Sequence, residues 1–108
     1  MILVIGNLDR WKREGRPAPE LEGFRFATFE ALDAALLASA RPDMILSPLV
    51  GDGFDALEVA RRLVELGFRG KYRALAGDVP NPDAVREEVR EAAPDLDFDV
   101  FLLRQDLR

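Results

Sequence analysis

The 108-residue chain contains no cysteine and no histidine. Without cysteine it has no disulfide, no thiol nucleophile and no thiolate metal site, as is typical of proteins from a reducing compartment. Without histidine it has no imidazole base or metal ligand and no phosphohistidine acceptor. No apolar run reaches the about 18 residues of a membrane span, and the apolar start lacks the basic residues of a signal peptide. We therefore expect a cytoplasmic protein without a membrane partner.

The composition is that of one globular domain over residues 1–108. Hydrophobic residues make up 48% of the chain and charged residues 32%, which is too apolar for a disordered protein. The formal net charge of −5 argues against a nucleic-acid partner. We expect no cofactor and no metal.

Short apolar runs alternate along the chain with segments of helical periodicity. Strands are predicted near 2–6, 24–28, 43–47, 71–76 and 98–103, and helices near 29–40, 55–66 and 82–93. This alternation predicts an α/β fold with a five-stranded parallel sheet. We expect the flavodoxin-like order 2-1-3-4-5, which places the three helices on one face and residues 7–23 on the other.

Capping signals support the three helices. Thr28 is the predicted N-cap of the first, and its apolar stripe is predicted at Leu32, Ala35, Leu36 and Ser39. Asp55 with Glu58 matches a capping box at the start of the second helix, and Gly67 is typical of a Schellman ending. The third helix is predicted to begin with Asn81 as cap and Pro82 at its first position.

The middle of the chain resembles the receiver domain of response regulators. The segment ARPDMILSPLVGDGFDALEVARRL is similar to the family's PDLILLDxxMPxxDGLEVxRxL segment around the third strand and third helix. The resemblance extends over nearly the whole chain in element order, and it is specific at residue level over about 41–66. It implies a receiver-like fold.

The same resemblance argues against the family's activity, which is phosphoryl transfer from a kinase histidine to an aspartate beside Mg²⁺. The family's acidic pair falls on Gly6 and Asn7, its phosphoacceptor on Pro48, its hydroxyl on Ala76 and its lysine on Arg104. Gly6 offers no ligand for a hard cation, and Pro48 offers no nucleophile. We therefore expect a phosphorylation-independent pseudo-receiver that acts in signal transduction through protein–protein contact and is not an enzyme.

Two other functions remain open from the sequence. One is an atypical phosphoacceptor in which Asp9 or Asp52 rebuilds the acidic site, although both residues also suit loops. The other is a small-ligand-binding domain that uses the crevice at the carboxyl ends of the strands. Ser47 is a poor substitute acceptor because its side chain is predicted to point away from that of Pro48.

The second face of the sheet lacks predicted helices. Residues 7–23 are rich in glycine and proline, and the five residues after Leu103 are too few for a fifth helix unless the natural chain continues. We expect a homodimer or a signalling-protein partner to cover this face, unless residues 7–23 fold back over it. The predicted contact residues are Leu8, Trp11, Leu102 and Leu103, with Trp11 as the anchor.

Two charged clusters have simpler interpretations than a binding site. Asp95, Asp97 and Asp99 precede or enter the last strand, where charges protect a sheet edge from pairing. The polar residues of the third helix are predicted to form a solvated face; they are Arg86, Glu87, Glu88, Arg90 and Glu91.

Overall fold

The computed structural model describes residues 1–6, 24–51, 53–77 and 81–102. Seven strands and three helices lie in these ranges. The strands are β1 (Ile2–Ile5), β2 (Phe24–Ala27), β3 (Met44–Pro48), β4 (Val50–Gly51), β5 (Phe54–Asp55), β6 (Lys71–Ala76) and β7 (Asp97–Leu102). The helices are α1 (Ala34–Ala40), α2 (Ala56–Glu65) and α3 (Pro82–Ala92).

Five of the strands form one parallel sheet in the order β2-β1-β3-β6-β7. The expected α/β class and the five-stranded parallel sheet are confirmed. The strand numbers differ from the predicted 2-1-3-4-5 because β4 and β5, which were not predicted, pair with each other as a separate antiparallel hairpin. Each has two residues, too few to show a periodic pattern in the sequence.

The hydrophobic core lies between the three helices and one face of the sheet. Alternate strand residues contribute to it: Leu3, Ile5, Ile45, Tyr72, Ala74, Phe98 and Val100. From the helices and their flanks come Leu32, Ala56, Val59, Ala60, Leu63, Val89, Ala93 and Leu96. The helices therefore share one face, as the right-handed crossovers require.

The caps of α2 and α3 follow the sequence prediction. Asp55 accepts a hydrogen bond from the Glu58 amide at 2.9 Å, and Asn81 accepts one from the Ala84 amide at 3.2 Å. Gly67 has a φ of 80°, and the Phe68 amide donates to the Leu63 carbonyl at 2.9 Å. These contacts complete the Schellman ending predicted after α2.

The predicted start of the first helix was wrong. Thr28 caps an isolated turn by accepting from the Ala31 amide at 3.2 Å, whereas the N-cap of α1 is Asp33, which accepts from the Leu36 amide at 2.8 Å. The predicted stripe is corrected as well. Leu32 is fully buried but precedes α1, Leu36 packs on the core, and the two other predicted positions, Ala35 and Ser39, are exposed.

None of the helices in the described ranges is long and apolar enough to cross a membrane.

Candidate functional site at the carboxyl end of the sheet

The sheet brings two of the predicted receiver-site positions together. Gly6 directly follows β1 and donates its amide hydrogen to the Ala27 carbonyl at 2.9 Å. Pro48 is the last residue of β3. A Cβ atom built on Gly6 would lie 3.8 Å from the Cδ atom of Pro48, which is ordinary van der Waals contact. A glycine and a proline therefore lie close together at positions that the resemblance aligns with the carboxylates of the receiver family.

Gly6 and Pro48 lie where the sheet connections change direction. The chain runs from β1 to β2 on one side and from β3 to β6 on the other, and the β1–β3 register ends at the pair Val4 and Leu46, before Pro48. In open α/β sheets, ligands bind in the crevice beside such a switch point. Here the crevice begins with a glycine and a proline.

These positions provide no group for phosphoryl chemistry. Gly6 and Pro48 have no side-chain oxygen, and Ala76, which ends β6, has no hydroxyl. In residues 1–6, 24–51, 53–77 and 81–102 no group of three or more acidic, histidine or cysteine side chains is arranged to hold a metal ion. Four further candidates, Asn7, Asp9, Asp52 and Arg104, lie outside the described residues.

Ser47 and Tyr72 form a buried polar pair beneath this site. Ser47 points to the helix side of the sheet, as expected, and is fully buried. Its Oγ lies 2.6 Å from the Tyr72 hydroxyl and donates to the Pro48 carbonyl at 2.9 Å. Burial raises the pKa of Tyr72 well above its usual range. The pair is structural and is not available as an acceptor.

The second face of the sheet carries an apolar region and a charged region. Ile2 and Val4 of β1 lie beside Phe24 and Phe26 of β2. From β3 come Met44, Leu46 and Pro48, and from β6 and β7 come Lys71, Arg73, Leu75, Asp97, Asp99 and Phe101. The exposed fractions of Phe24 and Phe101 are 37% and 45%. Large apolar side chains are thus open at both edges.

Of the predicted contact residues, the structure describes only Leu102. Its side chain is 50% exposed at the end of β7. Strand alternation places it on the side of Phe98 and Val100, so that Phe101 is the apolar residue of β7 on the second face. Leu8, Trp11 and Leu103 lie outside the described residues.

Arg73 joins the charged and apolar parts of the second face. It donates to the Asp97 carbonyl at 2.6 Å and forms an ion pair with the Asp97 carboxylate at 3.4 Å. Its guanidinium carbon lies 5.8 Å from the centre of the Phe101 ring, within reach of a cation–π contact. Arg73 thus lies against both Asp97 and the Phe101 ring, which remains nearly half exposed.

Sequence reasoning missed the role of Arg86. It was assigned to the solvated face of the third helix, but its Nε donates to the Asp99 carboxylate at 2.5 Å and one of its terminal nitrogens to the Val100 carbonyl at 3.3 Å. The remaining members of that predicted face are exposed. Only the docking of α3 beside β7 brings Arg86 to Asp99, and no local pattern in the sequence reports that contact.

Comparisons of the chain with protein-family models, with curated proteins and with solved structures gave no match.

Proposed function

We propose that this protein is a phosphorylation-independent pseudo-receiver that relays a signal by binding another protein molecule. The five-stranded parallel sheet with three helices on one face supports a receiver-like arrangement. Leaving out the β4–β5 hairpin, its strands follow one another across the sheet as second, first, third, fourth and fifth, which is the flavodoxin-like order.

One observation carries the proposal: Gly6 and Pro48 lie side by side at the carboxyl end of the sheet. Mg²⁺ needs hard oxygen ligands, and an acyl phosphate needs a carboxylate to form on. Both positions are filled by residues that supply neither, and the two lie close enough that a Cβ atom at Gly6 would be in van der Waals contact with Pro48. At these two described positions, no side chain can bind a cation or accept phosphate.

The test for phosphorylation is mass spectrometry after incubation with acetyl phosphate and Mg²⁺. A receiver domain with an intact acidic pair serves as the positive control. We expect no stable phosphoryl adduct on this chain. An adduct that disappears in Asp9→Asn or in Asp52→Asn would overturn the proposal and establish a rearranged phosphoacceptor site.

The second face of the sheet is the proposed contact surface. Its first candidate partner is a second copy of the chain, and the alternative is another signalling protein. Phe24 and Phe101 expose aromatic area there, and aromatic residues are the commonest anchors of protein interfaces. Lys71 and Arg73 of β6 and Asp97 of β7 lie on the same face and provide polar groups there.

Sedimentation velocity of the full chain up to about 100 μM tests the homodimer. Phe101→Ser and Trp11→Ala are expected to weaken association by about 30-fold each, because losing a central aromatic anchor costs about 2 kcal/mol. Val64→Ser is the matched control, since Val64 is 40% exposed but lies on α2, on the helix side of the sheet. A chain that stays monomeric and binds no partner through this face would contradict the proposed surface.

A further inference from the structure

The β7 strand forms one edge of the described sheet, and the residues that face outward along it follow from its pairing. The Asp97 amide donates to the Gly70 carbonyl at 3.2 Å, toward β6. Because backbone groups of alternate residues point to opposite sides of a strand, Asp99 and Phe101 also face β6. Phe98, Val100 and Leu102 therefore direct their amide and carbonyl groups to the open side.

At the middle of this edge, both backbone groups of Val100 are occupied by side chains. The Asp99 carboxylate accepts the Val100 amide hydrogen at 2.7 Å, and Arg86 donates to the Val100 carbonyl at 3.3 Å. Arg86 also binds Asp99 at 2.5 Å and Asp83 at 2.8 Å. We call the contacts among Arg86, Asp99 and Val100 the edge clamp.

An unblocked β7 would suit a second copy of itself. In an antiparallel pair centred on Val100, Val100 would exchange both hydrogen bonds with its counterpart, and Phe98 would lie opposite Leu102. Asp99 would lie opposite Phe101, so that no aspartate faces an aspartate. Two exposed apolar residues, Phe101 and Leu102, would be covered in the process. Exposed edges of this kind are the usual route to strand addition between chains.

We propose that the edge clamp prevents two copies of this chain from joining through their β7 strands into one continuous sheet. The clamp occupies the one residue on which that pairing would be centred. Both side chains of the clamp are required. Asp99 blocks the Val100 amide, and Arg86 blocks the Val100 carbonyl and also binds Asp99. This inference does not depend on the proposed signalling function, which concerns a face of the sheet and not its edge.

The test compares two matched pairs of variants of the full chain. Arg86→Ala and Arg90→Ala each remove one positive charge from α3, and Asp99→Ala and Asp97→Ala each remove one negative charge from β7. In sedimentation velocity, Arg86→Ala and Asp99→Ala are expected to show one association step that is absent from the parent or at least about tenfold weaker in it. Arg90→Ala and Asp97→Ala are expected to behave as the parent does.

Amide hydrogen exchange identifies the surface that associates. In the two clamp variants, protection at Phe98, Val100 and Leu102 is expected to increase with protein concentration. Circular dichroism confirms that each variant is folded. Folded clamp variants that show no new association step would overturn the proposal, as would association without added protection at these three amides.

Discussion

Ser47 and Tyr72 share a hydrogen bond inside the core, with 2.6 Å between the two hydroxyl oxygens. The single hydroxyl proton of Ser47 is donated to the Pro48 carbonyl, so Tyr72 must be the donor of the shared bond. Because of this direction, the two residues differ in what each loses when the other is removed. Ser47 keeps a partner when the tyrosine hydroxyl is removed, whereas the tyrosine hydroxyl has no other acceptor in the described contacts.

The first prediction follows from that inequality. Ser47→Ala is expected to lower the free energy of unfolding by up to about 3 kcal/mol, because it leaves a buried donor without an acceptor. Tyr72→Phe is expected to cost about 1 kcal/mol. The double variant is expected to cost less than the two single changes added together. Urea unfolding measures all three, and a larger loss in Tyr72→Phe than in Ser47→Ala would contradict the assigned direction.

The second prediction concerns the ionisation of Tyr72, the only tyrosine in the chain. Because burial raises its pKa, the phenolate is expected to form only at a pH well above the usual value near 10, or when the protein unfolds. The near-ultraviolet absorbance of tyrosinate reports this group alone. A titration near pH 10 in the folded protein would show that the hydroxyl is open to water.

The third prediction restores acids at the carboxyl end of the sheet. The double variant Gly6→Asp/Pro48→Asp is expected to gain thermal stability in millimolar Mg²⁺, whereas the parent is expected to show almost none. A ligand at 100 times its dissociation constant stabilises by about 2.7 kcal/mol, which a melting experiment resolves easily. Gly6→Asn/Pro48→Asn is the uncharged control. A saturable rise in the parent would reveal carboxylates that bind the ion elsewhere.

The fourth prediction concerns pH. The Arg86 hydrogen bond, followed by that of the Val100 amide, lowers the pKa of Asp99. Because the folded pKa lies below the unfolded one, the stability from this carboxylate is complete above the unfolded pKa, about 3.9. It is lost as the pH falls from there through the folded pKa. The difference in unfolding free energy between the parent and Asp99→Asn is therefore expected to be constant near neutral pH and to shrink below about pH 4. A difference in unfolding free energy that stays constant down through the acid range would contradict this prediction.

Elements set by local chemistry were predictable from the sequence. The α2 cap depends on Asp55 and Glu58, three residues apart, and the end of α2 depends on Gly67 in the left-handed region. The start of α1 was not predictable in the same way. Thr28 and Asp33 are both good N-caps, and Thr28 is used for a turn that buries Leu32 before α1 begins.

The contacts at the candidate sites were predictable only in part. The resemblance to receivers aligned Gly6 and Pro48 with functional positions, and the parallel sheet then placed them side by side. The edge charge of Asp99 could also be inferred from its strand. Its partner Arg86 could not, because that pairing depends on how α3 is seated against β7; the two elements meet in the core, to which α3 contributes Val89 and β7 contributes Phe98.

The position of β1 between β2 and β3 has a consequence for how the chain folds. Strand β1 pairs with residues 24–27 on one side and with residues 44–46 on the other. Every ladder of the sheet therefore closes a long loop of chain, and such topologies fold slowly for their size, in about milliseconds or longer. Stopped-flow refolding measures this rate, and microsecond folding would contradict it. Strands β6 and β7 follow β3 outward from this centre in chain order. The pairing of β7 with β6 is therefore expected to be the last in the sheet to form.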